Sequence, residues 1–562
     1  MNIESPNIET ATIKSTTGIG SYLIYALKRA GIDHIFGVPG DYILAFYGLL
    51  AKSDIQLVGT TREDTAAFAA DGYARNRGIG ALAVTYGVGA LNTVNAIAGA
   101  YAESSPVVII SGAPGVKEQR DDPLLHHRFG PFTYQREIFQ RITAEAVVLD
   151  DPVIAFRQID RALKIAREKS RPVYLELPRD RVLSEGMILP EAEYDSVTSD
   201  PEALAEAISE TLQRLQQATK PVIVAGVELH RRGLMGLLKQ LVKNTGLPIA
   251  ATLTGKSVFS ERHPQYLGIY EGAMSSLAAR DYVEQADLIL MLGLTLNDVD
   301  TGIYSARLDP NLMVRASKGE VLISHHRYAN IALADFVTTL ASKTQRYLAE
   351  FPALENKPVL PDFPQKNTKI RIVRLIERLN QTLSPALSVV CDTGDCLFAS
   401  IELHMPEYSN FYASAFYTSM GFAVPAALGT QLSDPEQRAL ILVGDGAFQM
   451  TGTELSTHAR FGLAPIVIVF NNHGYSTERF IMDGPFNDIS EWRFDKLGQV
   501  FGSIEGYNVF TEEEFDNALK LSLANTKQIS LLNVHLKADD PSPAMRRLGI
   551  HLGNLVNAEK HA

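Results

Sequence analysis

The sequence predicts an α/β protein built from three doubly wound parallel-sheet units. Short apolar runs of strand length recur along the chain, each stopped by Gly, Asn or Asp, as in strands buried on both faces. Stretches of helical length separate these runs, so crossovers join the strands and the strands lie parallel. Two Pro-punctuated segments, residues 182–201 and 351–364, interrupt the alternation and divide the chain into thirds.

The first unit is expected over residues 18–183, after a polar, flexible arm of residues 1–17. Apolar residues at helical spacing place a helix over 19–31, and IDHIFGVPGDY follows as a strand running into the turn Pro39-Gly40-Asp41. A strand at 57–60 leads to a helix over 62–75 with Glu63 near its start. Strands at 81–85 and 107–110 flank a helix over 90–102, and 172–177 is the unit's last strand. The second unit, 202–345, has strands at Pro221–Ala225, Ile249–Ala251, Leu288–Leu292 and 321–324, with a helix over 234–244. The third, 366–562, has strands at 387–390 and 531–534 around a central βαβ motif. No repeat relates the units.

The strands of that motif, 439–443 and 466–470, end in Gly444-Asp445-Gly446 and Asn471-Asn472. A crossover helix over 449–461, closed by Gly462, joins them. In open α/β sheets ligands bind beyond the carboxyl ends of such strands. Asp445 offers a carboxylate, Asn472 a side-chain carbonyl and Gly474 a main-chain oxygen, all hard ligands of the kind Mg²⁺ takes together with phosphate oxygens and water. Glycines at 444 and 446 let a diphosphate approach the main chain. Either corner alone is an ordinary turn; the pair is more specific.

Composition narrows the function classes. With 562 residues, the chain is long enough for several domains. Apolar content of 46% and 21% charged residues are ordinary for a globular protein, and a net charge of −12 disfavours non-specific nucleic-acid binding. The N-terminus lacks a signal-peptide apolar core, and no apolar run reaches the length of a membrane span. The two cysteines, Cys391 and Cys396, have only His404 near them in sequence, too few ligands for structural zinc and in keeping with a reducing compartment. A cytoplasmic enzyme is expected. Gly87-Val88-Gly89 opens a helix after a strand, but the third glycine of a dinucleotide fingerprint falls at Asn92 and no acidic residue follows at the right distance, so a dehydrogenase is set aside.

The GDG corner, the intervening residues 447–470 and the NN corner together resemble the signature of enzymes using thiamine diphosphate (ThDP) with Mg²⁺. From Gly18 onward the chain is similar to the pyruvate, indolepyruvate and branched-chain 2-oxo acid decarboxylase branch of that family. The resemblance implies an N-terminal pyrimidine-binding unit, a central unit and a C-terminal diphosphate- and magnesium-binding unit. Glu63, before ADGYAR, matches the glutamate that hydrogen-bonds the cofactor pyrimidine and activates it. The family segment WGSIGF reads Tyr417-Thr418-Ser419-Met420-Gly421-Phe422 here, which makes Met420 the wedge beneath the two rings and the Thr418 carbonyl the acceptor of the cofactor amine. Thr393, Asp395, Gly444, Asp445, Gly446, Ala447, Asn472, Gly474 and Tyr475 fall at the diphosphate and metal positions. Asp41, His126, His127 and Glu478 match the proton-handling groups of the decarboxylase branch.

The resemblance further implies a homodimer with shared active sites, assembled as a dimer of dimers. It implies non-oxidative decarboxylation of a 2-oxo acid to an aldehyde; a carboligase of the acetolactate synthase kind and a non-catalytic ThDP-binding protein are the alternatives. Pocket positions are Thr393, Leu397, Phe398, Tyr417, Thr477 and Ile481. Thr477 and Tyr417 replace larger groups common in relatives, so a branched, aromatic or longer substrate is expected. Four departures stand out: His473 replaces an aspartate beside the metal corner, Asp395 a hydroxyl near the diphosphate, and Ala90 a glutamate, while the central unit has no cysteine.

Overall fold

The computed structural model describes residues 16–187, 198–344 and 363–561. The chain divides into two compact units, one of Met1–Ala70, Ile79–Tyr101 and Pro106–Glu193, the other of Asp71–Gly78, Ala102–Ser105 and Tyr194–Ala562. No helix among the described residues is long and apolar enough to cross a membrane.

The first unit contains β1 (Thr16–Gly18), β2 (His34–Gly37), β3 (Gln56–Gly59), β4 (Gly80–Val84), β5 (Val107–Ala113), β6 (Glu145–Val148), β7 (Val173–Pro178) and β8 (Glu185–Met187). Six of them form a parallel sheet in the order β3-β2-β4-β5-β7-β6. β7 is last in sequence yet lies inside the sheet, because β6 takes the edge beyond it. Only four residues long, opened by Glu145 and mostly half-buried, β6 gives a weak strand signal to read. β1 pairs antiparallel with β8. Residues 16–17, expected in a flexible arm, and 185–187, expected in a linker, are therefore tied together by main-chain hydrogen bonds. Residues 1–15 and 188–197 of those two segments lie outside the described residues. The helix expected over 90–102 is two helices, Val88–Asn92 and Val94–Ala102.

The second unit holds two sheets. β9 (Pro221–Ala225), β10 (Ile249–Ala251), β11 (Tyr266–Ile269), β12 (Leu288–Leu292), β13 (Met313–Ser317), β14 (Glu320–Ile323) and β15 (His326–Ala329) run in the order β11-β10-β9-β12-β13-β14-β15. The first five are parallel, but β14 and β15 are antiparallel, so this sheet is mixed rather than purely parallel. Only Lys318 and Gly319, at φ 51° and 82°, connect β13 to β14. Two residues with positive φ make a tight hairpin turn and are far too short for a crossover.

The other sheet comprises β16 (Leu387–Cys391), β17 (Phe411–Ala413), β18 (Arg438–Gly444), β19 (Ile466–Asn471), β20 (Ile504–Val509) and β21 (Ile529–His535). It is wholly parallel in the order β17-β16-β18-β19-β21-β20. The order reverses between β16 and β18, and the crevice beyond the carboxyl ends of those strands is where such folds hold ligands. One continuous apolar cluster, from Ala207 to Leu548, lines both sheets of this unit. The crossover expected over 449–461 starts earlier, as helix Asp445–Thr451, a 3₁₀ turn Gly452–Glu454 and helix Leu455–Arg460. Asp445 is thus the first residue after the strand rather than part of a loop.

Candidate active site

At the end of β18, Asp445 Oδ1 accepts the Gly446 N–H at 2.8 Å and Oδ2 accepts the Gly474 N–H at 3.1 Å. The carboxyl is 2% exposed, and burial pushes its pKa up to about 6 against the opposing pull of these main-chain donors. Asn472, just past the end of β19, is buried. Gly474 has φ 140°, and a Cβ there would sit 2.0 Å from the Asn487 carbonyl oxygen, so only glycine fits. The space beside Gly444 is open, with nothing within 4 Å of where a Cβ would lie, whereas Gly446 is closed by the ring of Tyr475. Ala447 is buried in the first turn of the helix. A buried carboxylate held by main-chain donors, a buried carboxamide and open space beside a glycine fit Mg²⁺ and a diphosphate. His473 has φ 64°, a left-handed conformation that Asn, Asp and His adopt more readily than most residues, which accounts for its standing in place of an aspartate.

The loop bearing Met420 hangs from two buried carboxylates that the sequence did not single out. Asp392, at the end of β16, is 0% exposed and accepts N–H groups from Thr393 (2.9 Å), Gly421 (2.9 Å) and Ala423 (2.7 Å). Glu103 Oε1 accepts the N–H groups of Phe416 at 2.7 Å and Tyr417 at 2.8 Å. Arg75 fixes the start of the same segment: it is paired with Asp71 at 2.8 Å and donates to the Ala413 carbonyl at 2.6 Å. Their only sequence signal is an acid or a base in apolar surroundings. Thr418 lies at φ 55° on this loop, and the Met420 side chain remains 36% exposed. Asp395, expected near the diphosphate, is buried; its Oδ2 accepts the Ser542 N–H at 2.9 Å, and its Oδ1 has no hydrogen-bond partner among the described residues. Among the pocket positions, Tyr417 and Ile481 are exposed and Thr393, Phe398 and Thr477 half-buried, but Leu397 is fully buried in the apolar core.

In the first unit, Glu63 opens the helix Glu63–Arg77, and its Oε2 accepts from Asn92 Nδ2 at 2.8 Å. A Cβ on Gly89 would approach Glu63 Oε1 to 3.5 Å, and the neighbouring Ala90 is fully buried. Asp41, His126 and His127 come together: His126 Nε2 lies 2.8 Å from Asp41 Oδ2, and one ligand atom from each of the three falls within 4.8 Å of the others. Tyr42 stacks on His126 with ring centroids 4.9 Å apart, and Arg179 Nη1 approaches Asp41 to 3.5 Å while pairing with Glu118. His127, at φ 65°, packs its carbonyl against Gly87. Behind it a buried chain of hydrogen bonds runs from the Gly87 N–H to Gln135 (2.7 Å), from Gln135 to the Tyr174 hydroxyl (2.7 Å), and from that hydroxyl to Glu176 (2.6 Å). Burial pushes the Glu176 pKa up to about 7. Glu478 belongs to the other unit, exposed on the short helix Ser476–Arg479.

Comparison with known families matches three consecutive segments. Residues 18–141 match the N-terminal TPP binding domain of thiamine pyrophosphate enzymes, 208–341 their central domain and 392–534 their C-terminal TPP binding domain. Indole-3-pyruvate decarboxylase of Azospirillum brasilense is 35% identical over 91% of this chain and 94% of its own length. The alpha-keto-acid decarboxylase of Mycolicibacterium paratuberculosis is 33% identical over 94% of this chain and 96% of its own. Pyruvate decarboxylase of Neurospora crassa is 33% identical over 93% and 94%. With similarity of this extent and all three domains in order, the chain belongs to the thiamine-diphosphate-dependent 2-oxo acid decarboxylase family.

Proposed function

We propose that this protein decarboxylates a 2-oxo acid, R–CO–COOH, to the aldehyde R–CHO and CO₂ without net oxidation, using ThDP and Mg²⁺. The observation that supports this reading best is the cluster of Asp41, His126 and His127. Asp445, Asn472 and the Gly474 carbonyl would hold Mg²⁺ and through it the diphosphate. Glu63, oriented by Asn92, would hydrogen-bond the pyrimidine. When bound, ThDP supplies a nucleophilic carbon that adds to the substrate carbonyl and accommodates the electrons left as CO₂ departs.

The protein's own work is to exchange protons at two atoms. A proton must reach the carbon that lost CO₂, and another must leave the hydroxyl that becomes the aldehyde oxygen. Two imidazoles and a carboxylate within 4.8 Å of one another provide side chains of the types that serve as general acids and bases. Glu478 is assigned to the same task. A carboligase gains nothing from protonating that carbon, which is the reason for preferring the decarboxylase. Thr477 and Tyr417 in place of larger groups favour a branched, aromatic or longer R group, by a graded margin of ~1–3 kcal/mol per methylene. The functional assembly is a dimer with shared sites, paired into a tetramer, in the cytoplasm.

The test is incubation with ThDP, Mg²⁺ and a panel running from pyruvate to branched and aromatic 2-oxo acids, with CO₂, aldehyde and acyloin quantified. Stoichiometric CO₂ and aldehyde, highest for the larger acids, are expected. Acyloin, or a 2-hydroxy-3-oxo acid formed from two substrate molecules with loss of one CO₂, as the main product would replace the decarboxylase by the carboligase.

A further inference from the structure

Two buried carboxylates of the second unit have no part in this chemistry. Glu271 is 0% exposed, and neither carboxylate oxygen has a hydrogen-bond partner among the described residues. Asp300 is 2% exposed; one oxygen accepts from Asn297 Nδ2 at 2.8 Å, and Oδ1 has no partner. The turns that bear them pack directly together. A Cβ on Gly272 would lie 2.4 Å from the Thr301 carbonyl oxygen, and one on Gly302 2.4 Å from that of Glu271. Asp300 acts on Glu271 through its charge, whereas the guanidinium of Arg547 is engaged by the Met274 carbonyl and Glu402.

Three carboxylate oxygens are thus withdrawn from water with nothing in return, an arrangement that folded proteins rarely tolerate. A proton on one carboxylate would neutralise it and supply a single O–H donor, which still leaves at least one of the three oxygens without a partner. One cation between the two residues would serve all three oxygens at once. The donors are all oxygen, and the main-chain carbonyls of Glu271 and Thr301 lie in the same contact, which selects a hard ion. We propose that Glu271 and Asp300 form a buried site for one hard divalent cation, with Ca²⁺ preferred to Mg²⁺. Mg²⁺ holds its water tightly and demands a regular octahedron, while Ca²⁺ accepts an irregular shell of protein oxygens. Asp300 also acts electrostatically on Glu103, the anchor of Phe416 and Tyr417. Filling the site therefore lowers the negative charge beside the loop that bears Met420.

The experiment is equilibrium dialysis of the full-length chain against Ca²⁺ or Mg²⁺ without ThDP, with metal counted by mass spectrometry. Asp445→Ala is the reference protein, because it removes the other carboxylate metal ligand; the imidazoles of His126 and His127 are poor ligands for Ca²⁺. Asp445→Ala is expected to retain about one Ca²⁺ per chain, bound at least tenfold more tightly than Mg²⁺. Adding Glu271→Gln, or Asp300→Asn if the first variant does not fold, should abolish that binding. If Asp445→Ala takes up no Ca²⁺, or if the double variants retain it, the site is overturned. Mg²⁺ bound as tightly as Ca²⁺ would overturn the ion preference.

Discussion

Asn92 Nδ2 donates to the Glu63 carboxylate at 2.8 Å, so the acid matched to cofactor activation is held from its own unit by a side chain. Asn92 occupies the position at which a dinucleotide fingerprint would require its third glycine. The same departure that argues against a dehydrogenase supplies the orienting donor here. Asn92→Ala is expected to remove one hydrogen bond to a charged group, about 1.5–3 kcal/mol, and to slow exchange of the reactive C–H of bound ThDP by roughly 10–100-fold. Glu63→Gln should slow it by further orders of magnitude. Deuterium exchange followed by NMR measures both, and an Asn92→Ala rate equal to wild type would remove the orienting role.

Asp392 holds three main-chain N–H groups in a site with no exposure. Asp392→Asn turns one acceptor oxygen into a donor that faces other donors, at an expected cost of about 2–4 kcal/mol. Denaturant unfolding reports that loss. ThDP affinity should fall with it, because the loop bearing Met420 loses its anchor; unchanged affinity at reduced stability would confine Asp392 to the core.

Glu176 gives a pH dependence of definite sign. Its folded-state pKa, about 7, lies above the ordinary 4.5, so the folded protein binds more protons than the unfolded one between those values. Stability from this group is fully present below 4.5 and is lost as pH rises through 7. The separation corresponds to roughly 3 kcal/mol. Glu176→Gln keeps an acceptor for the Tyr174 hydroxyl and cannot ionise. Urea unfolding should therefore show the variant gaining on wild type as pH rises from 5 to 8, and parallel curves would assign the slope to another group.

The proposed sharing of active sites between two chains makes a complementation prediction. In a dimer joining a Glu63→Gln chain to an Asp445→Ala chain, one site carries both lesions and the other neither. Each homodimer is expected to be nearly inactive, and the purified heterodimer to recover about half of wild-type activity per dimer. A heterodimer as inactive as its parents would end the proposal of independent shared sites.

The strands that build the sites were legible because each is a continuous apolar run: β18 and β19, with Gly444-Asp445-Gly446 and Asn471-Asn472 at their ends, could be read directly from residue order. So could the grouping of Asp41 with His126 and His127, through resemblance to a family whose motifs preserve them. Both signals are local, since burial on two faces demands unbroken apolar residues and a turn demands particular residue types. Nothing local announces that β6 displaces β7 from the sheet edge, because strand order is settled by which edge remains free to pair. The anchors of the Met420 loop, Asp392 and Glu103, and the buried pair Glu271 and Asp300 are equally silent in sequence. An acidic residue is ordinarily exposed, and only packing from distant segments decides which few are withdrawn from water and what they must then hold.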